Sequence, residues 1–186
     1  MDNGRVRVGV GEEECTVKYS VSAATYNASG IVRGCELDDE MLSLLEEDDT
    51  TYRAMRRALS LLSYGDNTRV ALRRKLIRSG FSAEVADSCI NECMMLGYIN
   101  ERRQIERAVL NEANRSLRGR EYILRKLRSK GYSASDIESV IDNLVEAGEI
   151  DFKENFELLV QKRGALDEAS RRELSYKYGY RNCYFD

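Results

Sequence analysis

The chain repeats part of its own sequence at an interval of 51 residues. Residues 74–99 align without a gap with residues 125–150, and ten of the 26 aligned pairs are identical. Two of the identical pairs are glycines, Gly80/Gly131 and Gly97/Gly148. A repeat of about this length is typical of stacked helical units, none of which can bury its apolar face alone. The sequence therefore predicts a tandem array of small helical units, an architecture that favours binding over catalysis.

The composition predicts a folded protein of the cytoplasm. Apolar residues make up 42% of the 186 residues, which is enough for a core. No apolar run approaches the roughly 20 residues that span a bilayer, and the first 15 residues lack the apolar stretch of a secretion signal. We therefore expect a cytoplasmic protein, and a monomer.

The residue types argue against an enzyme. The chain has no histidine, which removes the usual near-neutral general base and the commonest metal ligand. Neither a GxGxxG nor a GxxxxGK[ST] motif is present, so nucleotide binding has no support. We expect no catalytic residues and no cofactor.

The five cysteines lack CxxC spacing, which argues against a zinc module or a disulfide framework. Cys89 and Cys93 are four residues apart and would share one helix face, as metal ligands can. The second copy of the repeat has Val140 and Leu144 at the same places. These replacements favour core packing over metal binding for Cys89 and Cys93, so no metal site is predicted.

Charge is strongly segregated along the chain, although the net charge is only −3. Counted from the sequence, residues 1–52 carry −8, residues 53–130 carry +10 and residues 131–186 carry −5. A basic middle segment of this kind predicts a polyanionic partner or an acidic protein surface.

The N-terminal residues predict a small extension made of a hairpin and short helices. Residues 5–10 and 15–21 alternate apolar and polar residues around a turn at 11–14, which indicates a β-hairpin. A short helix is expected at 22–28, and Asp38 or Asp39 is expected to cap another that reaches Leu45. The acidic residues 46–49 then fit an exposed connector.

Helical periodicity begins at Thr50 and continues to the C-terminal region. The predicted helices are 51–64, 68–79, 82–96, 100–115, 118–130, 133–147, 151–163 and 167–178. Five residues are predicted N-caps, with a capping box at the fourth: Thr68, Ser82, Asn100, Ser133 and Asp167. The glycines at 80, 97, 131 and 148 follow helix ends, where a left-handed conformation favours glycine.

This pattern predicts a mainly α fold in which three-helix repeats form an elongated, curved array. The predicted divisions are the N-terminal extension at 1–49, the first repeat at 50–99, the second at 100–150 and a partial or divergent third at 151–186.

The repeat also duplicates a basic pair on the helix surface. Leu72 and Leu76 form an apolar stripe that Ile123 and Leu127 reproduce in the second copy. Arg74 and its neighbours project away from that stripe. A run of charges is often only a solvated helix face, but stacked units would align the pairs into a basic track. The predicted track consists of Arg74, Lys75, Arg78, Arg118, Arg120, Arg125, Lys126 and Lys130. Tyr122 lies within it, where helix packing is favoured over stacking on a base. Tyr98 and Tyr132 lie at helix junctions and are likewise expected to pack.

Three motifs in order resemble the RecX family, bacterial regulators of the RecA recombinase. They are ALSLLSYGDNTRVALRRKLIRSGFS at 58–82, GYINERRQIE at 97–106 and RGREYILRKLRSKGYSASDIESVI at 118–141. The resemblance covers about residues 5–165. Gln104 stands where the family has an aromatic residue, and the C-terminal end matches the third repeat poorly.

The resemblance implies a regulator without catalytic activity. Such a protein would lie in the groove of the RecA nucleoprotein filament and inhibit ATP hydrolysis and strand exchange in DNA repair, recombination and the SOS response. DNA, single- or double-stranded, would be met directly or through RecA. Two alternatives stay open at this point, a DNA-binding module that acts without RecA and an adaptor that holds another protein.

Overall fold

The protein is mainly helical, with one small antiparallel sheet at its N-terminal end. The structure is a computed structural model, and it describes residues 4–11, 16–163 and 168–181. The strands are β1 (Arg5–Val10) and β2 (Val17–Ser22). The helices are α1 (Ala23–Ser29), α2 (Asp39–Ser63), α3 (Arg69–Arg78), α4 (Ala83–Met95), α5 (Glu101–Leu110), α6 (Arg120–Ser129), α7 (Ala134–Glu146), α8 (Phe152–Arg163) and α9 (Glu168–Glu173). One π-helical turn, 111–115, continues α5, and another, 174–178, continues α9.

The chain divides into two compact units. Met1–Gly65 and Leu72–Tyr98 form the first, and Asp66–Ala71 and Ile99–Asp186 form the second. The predicted helices are present with ends that shift by a few residues, except that α2 starts twelve residues earlier than expected. None of the helices in the described residues is long and apolar enough to cross a membrane.

The predicted acidic connector is wrong, because residues 46–49 lie inside α2. They are helical since two of their carboxylates bind the hairpin. Asp49 accepts a hydrogen bond from the Ser20 amide at 2.9 Å, and Asp48 accepts one from the Ser22 amide at 3.2 Å. The unpaired backbone donors of β2 thereby find acceptors on a neighbouring helix. As a result α2 crosses the boundary that the sequence placed between residues 49 and 50.

Asp48 receives two further donors, the Arg5 guanidinium and the Thr25 hydroxyl. Burial alone would raise the pKa of Asp48, but the hydrogen bonds from Thr25, Arg5 and Ser22 outweigh it and lower this pKa below its ordinary value. The Arg5 guanidinium also stacks on Tyr52, 3.9 Å from the ring centroid. The charge of Asp48 therefore holds the hairpin to α2. An isolated two-stranded sheet is only marginally stable, so it needs such an anchor.

The hairpin itself has the predicted pairing partners. β1 and β2 are antiparallel, with Val8 opposite Tyr19 and Val6 opposite Val21. Val8, Val21, Ile31 and Leu45 form the small core beneath it. The predicted turn at 11–14 and Cys15 lie, apart from Gly11, outside the described residues.

The helix caps agree with the sequence at four positions and differ at one. Asp38, Thr68, Ser82 and Asn100 each accept a hydrogen bond from a backbone amide of the first helical turn. Ser133 does not, because its hydroxyl bonds the Ser135 hydroxyl instead, so the predicted capping box is wrong. Asp167 lies outside the described residues.

The second unit closes through an unusually close approach of two backbones. The Gly119 amide donates to the Tyr178 carbonyl at 2.7 Å, and the Glu121 amide donates to the Gly179 carbonyl. A Cβ placed on Gly179 would lie 2.2 Å from the Tyr122 nitrogen. Tyr180 is 1% exposed and donates its hydroxyl to the Leu117 carbonyl. The divergent C-terminal residues are therefore an integral part of this unit's core.

Replacing Asp48 by asparagine should weaken the hairpin. We expect a loss of roughly 2 kcal/mol, because hydrogen bonds to a charged group become neutral ones. Because the pKa of Asp48 is lowered in the folded state, the extra stability of the wild type is present above about pH 4. This stability is lost as the pH falls through the folded-state pKa of Asp48. Hydrogen exchange of the Ser20 and Ser22 amides at pH 7 and pH 3 measures this. Asp38→Asn is the control, because asparagine caps α2 as well as aspartate does; equal protection in both variants would contradict the anchoring role.

Gly179→Ala should destabilise the chain far more than Gly148→Ala. Both glycines have a positive φ, 78° and 72°, so each substitution costs roughly 1 kcal/mol of backbone strain. Only at Gly179 does the new methyl meet a backbone atom, which adds about 1–3 kcal/mol. Chemical denaturation followed by circular dichroism gives both values, and similar losses would show that the backbone contact is not rigid.

Candidate partner-binding surface

The predicted basic track falls on two helices, α3 and α6. Arg74, Lys75 and Arg78 lie on α3, and the other five residues lie on α6 or beside its ends. The apolar stripes of both helices are buried as predicted, with Leu72 and Leu76 at 0% exposure. The charges of each helix are thereby turned toward its surface.

On α3 two arginine pairs differ in their use. Arg69 binds Glu101 at 2.8 Å, and Arg73 holds Asp87 with two hydrogen bonds of 2.6 and 2.9 Å. Arg74 and Arg78, also four residues apart, are exposed and have no side-chain partner among the described residues. Lys75 is exposed too but makes a contact within the fold. Arg74 and Arg78 are therefore the cations of α3 that the fold does not use.

On α6 several cations of the predicted track bind groups of the same chain. Lys126 binds Glu112 at 2.6 Å, and this hydrogen bond raises the pKa of Lys126. Arg120 binds Asp142 at 2.6 Å. Each pair links α6 to another part of the second unit, so these two cations stabilise the fold.

Arg118 and Arg125 bind the C-terminal segment. The Arg118 guanidinium stacks on Tyr122 and Tyr178, 4.5 and 4.2 Å from the ring centroids, and donates to the Lys177 carbonyl. Arg125 donates to the Tyr176 carbonyl at 2.9 Å and lies 5.7 Å from that ring. The sequence could not place these contacts, because the two partners lie about 50–60 residues further along the chain.

The second unit keeps its own unused cations at the C-terminal end of α6. Arg128 and Lys130 are exposed, and their side chains have no partner in the described part of the chain. Lys130 belongs to the predicted track, and Arg128 lies two residues before it. Exposed cations of this kind can bind phosphate or carboxylate groups of a partner, with an affinity that falls as salt rises.

The tyrosines divide between packing and exposure. Tyr122 is half-buried against the core of the second unit, which fits the packing role expected of it. Tyr132 packs as expected, and its hydroxyl donates to Gln104 at 3.0 Å. Gln104 is buried at the position where the resemblance leads us to expect an aromatic residue. It therefore gives the Tyr132 hydroxyl a polar partner. The packing expected of Tyr98 is wrong, since 53% of it is exposed.

The structure also places an apolar surface that the sequence analysis missed. Met95 and Leu96, at the end of α4, are 82% and 58% exposed. A comparison of the two copies of the repeat indicates this surface, because the large apolar Met95 and Leu96 correspond to Glu146 and Ala147.

Cys89 and Cys93 are buried in the first unit, as core packing requires. Burial raises the pKa of the Cys89 thiol to about 12, with a smaller contribution from the neighbouring Cys93. Among the described residues, no three Cys, Asp or Glu side chains are grouped to hold a metal ion.

The recurring three-helix units place the chain in the class of helical-repeat proteins. Residues 54–93 match the model of the RecX first three-helix domain. The regulatory protein RecX of Leuconostoc mesenteroides is 23% identical over 140 residues, 75% of this chain and 52% of that protein. The regulatory protein RecX of Clostridioides difficile is 24% identical over 162 residues, 87% of this chain and 73% of that protein. These matches confirm the resemblance to the RecX family seen in the sequence.

A solved structure has the same fold. A crystal structure of regulatory protein RecX superposes with a TM-score of 0.70 at 20% identity, covering 96% of this chain and 92% of that one. The chain spans about half the length of the L. mesenteroides relative and of a second one, from Oceanobacillus iheyensis, which is 27% identical over 67% of this chain.

Arg125→Ala should destabilise the second unit, whereas Arg74→Ala should not. Arg125 loses a hydrogen bond and a ring contact, together worth about 1 kcal/mol. Arg74 has no partner among the described residues, so its change should stay within about 0.5 kcal/mol. Urea denaturation compares these two equivalent positions of the repeat, and equal losses would contradict the different roles assigned to them.

Proposed function

We propose that the chain is a non-catalytic regulator that binds the RecA nucleoprotein filament and inhibits its ATPase and strand-exchange activities. The proposal is supported by the match to the RecX first three-helix domain and by the similar proteins, which are named regulatory protein RecX. It is also supported by the cations that the fold leaves without partners. A filament of RecA and DNA offers both acidic protein surface and phosphates, and both attract such cations.

The observation that carries the proposal is the contrast between the two arginine pairs of α3. Arg69 and Arg73 bind carboxylates of the same chain, while Arg74 and Arg78 hold exposed positive charge that no described residue neutralises. Free cations on a positively charged segment cost stability through repulsion without returning any contact. Binding of a negatively charged partner accounts for them.

The structure also changes the choice of residues for a test. Arg125 and Lys126 look equivalent to Arg74 and Lys75 in the sequence, but they hold the second unit together. A charge reversal at those positions would mix loss of binding with loss of stability. Arg74 and Arg78 avoid this problem.

The double variant Arg74→Glu/Arg78→Glu should inhibit RecA less than the wild type does. Two reversed charges remove two attractive contacts and add repulsion, so we expect inhibition to need on the order of tenfold or more protein at low salt. The measurement is the ATPase rate of RecA on single-stranded DNA, with increasing amounts of each protein, at two salt concentrations.

Lys153→Glu/Lys162→Glu on α8 is the matched control. It makes the same change in net charge at two exposed lysines outside the predicted track, so it should inhibit almost as the wild type does. Equal inhibition by a folded Arg74/Arg78 variant would contradict the role given to α3. Salt-sensitive binding to DNA without any effect on RecA would instead favour a module that acts on DNA alone.

A further inference from the structure

Three sulfur-bearing side chains lie on α2 and α4 of the first unit. The Cys93 sulfur lies 3.7 Å from the Met55 sulfur. Cys89 is one helical turn before Cys93 on the same face of α4. The two cysteines are 2% and 0% exposed, and Met55 is half-buried. This cluster, Met55, Cys89 and Cys93, is called the sulfur site below.

The second copy of the repeat shows that the fold does not need sulfur at these places. Val140 and Leu144 replace the two cysteines, and both are buried on the corresponding face of α7. At the same interval of 51 residues Met55 corresponds to Glu106, which is exposed. All three sulfur atoms are thus particular to the first unit, and packing alone gives no reason for their coincidence.

The chemistry of the three donors selects one kind of ligand. Thiolate and thioether sulfurs are soft donors that favour Cu(I) over hard cations such as Mg²⁺ or Ca²⁺. Structural zinc sites use four ligands and frequently histidine, which this chain lacks. Zinc–thiolate bonds are about 2.3 Å long, so three sulfurs around one ion of similar size would lie about 4 Å apart. The Cys93 and Met55 sulfurs are 3.7 Å apart.

Met55 brings the sulfur site to the edge of an open cavity. This residue is half-buried and lines a cavity of the first unit together with Tyr52 and Glu92. The Met55 thioether is therefore the sulfur of the site that lies beside solvent, because Cys89 and Cys93 are 2% and 0% exposed.

We propose that the sulfur site binds a soft monovalent metal ion, Cu(I), through Cys89, Cys93 and Met55. Each thiol gives its proton to solvent as its sulfur bonds the ion, and the ion keeps its oxidation state. The proposal is independent of the function proposed above, because it concerns a different part of the chain and a different ligand.

The test is an anaerobic competition between the protein and a chromophoric Cu(I) chelator. The full chain is used with Cys15, Cys35 and Cys183 replaced by serine, so that other thiols do not contribute. We expect one Cu(I) per chain, and its loss in Cys89→Val/Cys93→Leu, the pair that the second repeat carries. Met55→Leu keeps a similar side-chain volume and leaves the two thiols as donors. We expect this variant to bind Cu(I) more weakly, so that more of the ion passes to the chelator.

Thermal denaturation without metal shows whether the Val/Leu variant folds. If that variant is folded and binds Cu(I) as well as its parent, the sulfur site is not the ligand and the proposal fails. It also fails if the parent retains no Cu(I) against the chelator, or if Zn²⁺ displaces Cu(I) at equal concentration. Inhibition of RecA by the metal-free Val/Leu variant should be unchanged, which keeps this result separate from the proposed function.

Discussion

Burial of one apolar stripe on each basic helix determines where the charges of this protein lie. Leu72 and Leu76 of α3 are fully buried, and Ile123 and Leu127 of α6 occupy the same positions in the second copy with the same burial. With side chains 100° apart around a helix, fixing those leucines and isoleucines orients every arginine and lysine between them. The repeat conserves this stripe because a unit of three short helices has little other apolar surface to bury.

The same framework uses equivalent charges in different ways. Arg74 is exposed without a described partner, while its counterpart Arg125 binds the carbonyl and ring of Tyr176. The difference arises from the C-terminal segment. It packs against α6, and its carbonyl groups accept hydrogen bonds from the amides of Gly119 and Glu121. A helix that receives a new neighbour loses part of its free surface. The proposed partner surface therefore depends on which helix is covered as well as on the distribution of basic residues.

The two copies also show that equal burial does not mean equal chemistry. Cys89 and Val140 are both buried on the same face of equivalent helices, and they fill space almost equally well. The sequence comparison alone favoured packing for the cysteines. Packing explains their burial, but the Met55 sulfur beside Cys93 comes from α2, and no pattern within α4 could have revealed it.

The sequence by itself determined the repeat, the helices of each unit and most of their caps, because these depend on contacts within a few residues of the chain. It also showed the resemblance to the RecX family, through motifs of the same local kind. Only the tertiary structure decided that residues 46–49 form part of a long helix, since their carboxylates meet backbone donors from Ser20 and Ser22. It likewise decided which cations are neutralised, because Glu112, Asp142 and Tyr176 reach α6 from other elements. Such contacts join groups far apart in the chain, and their free energy depends on distances that only the folded protein fixes.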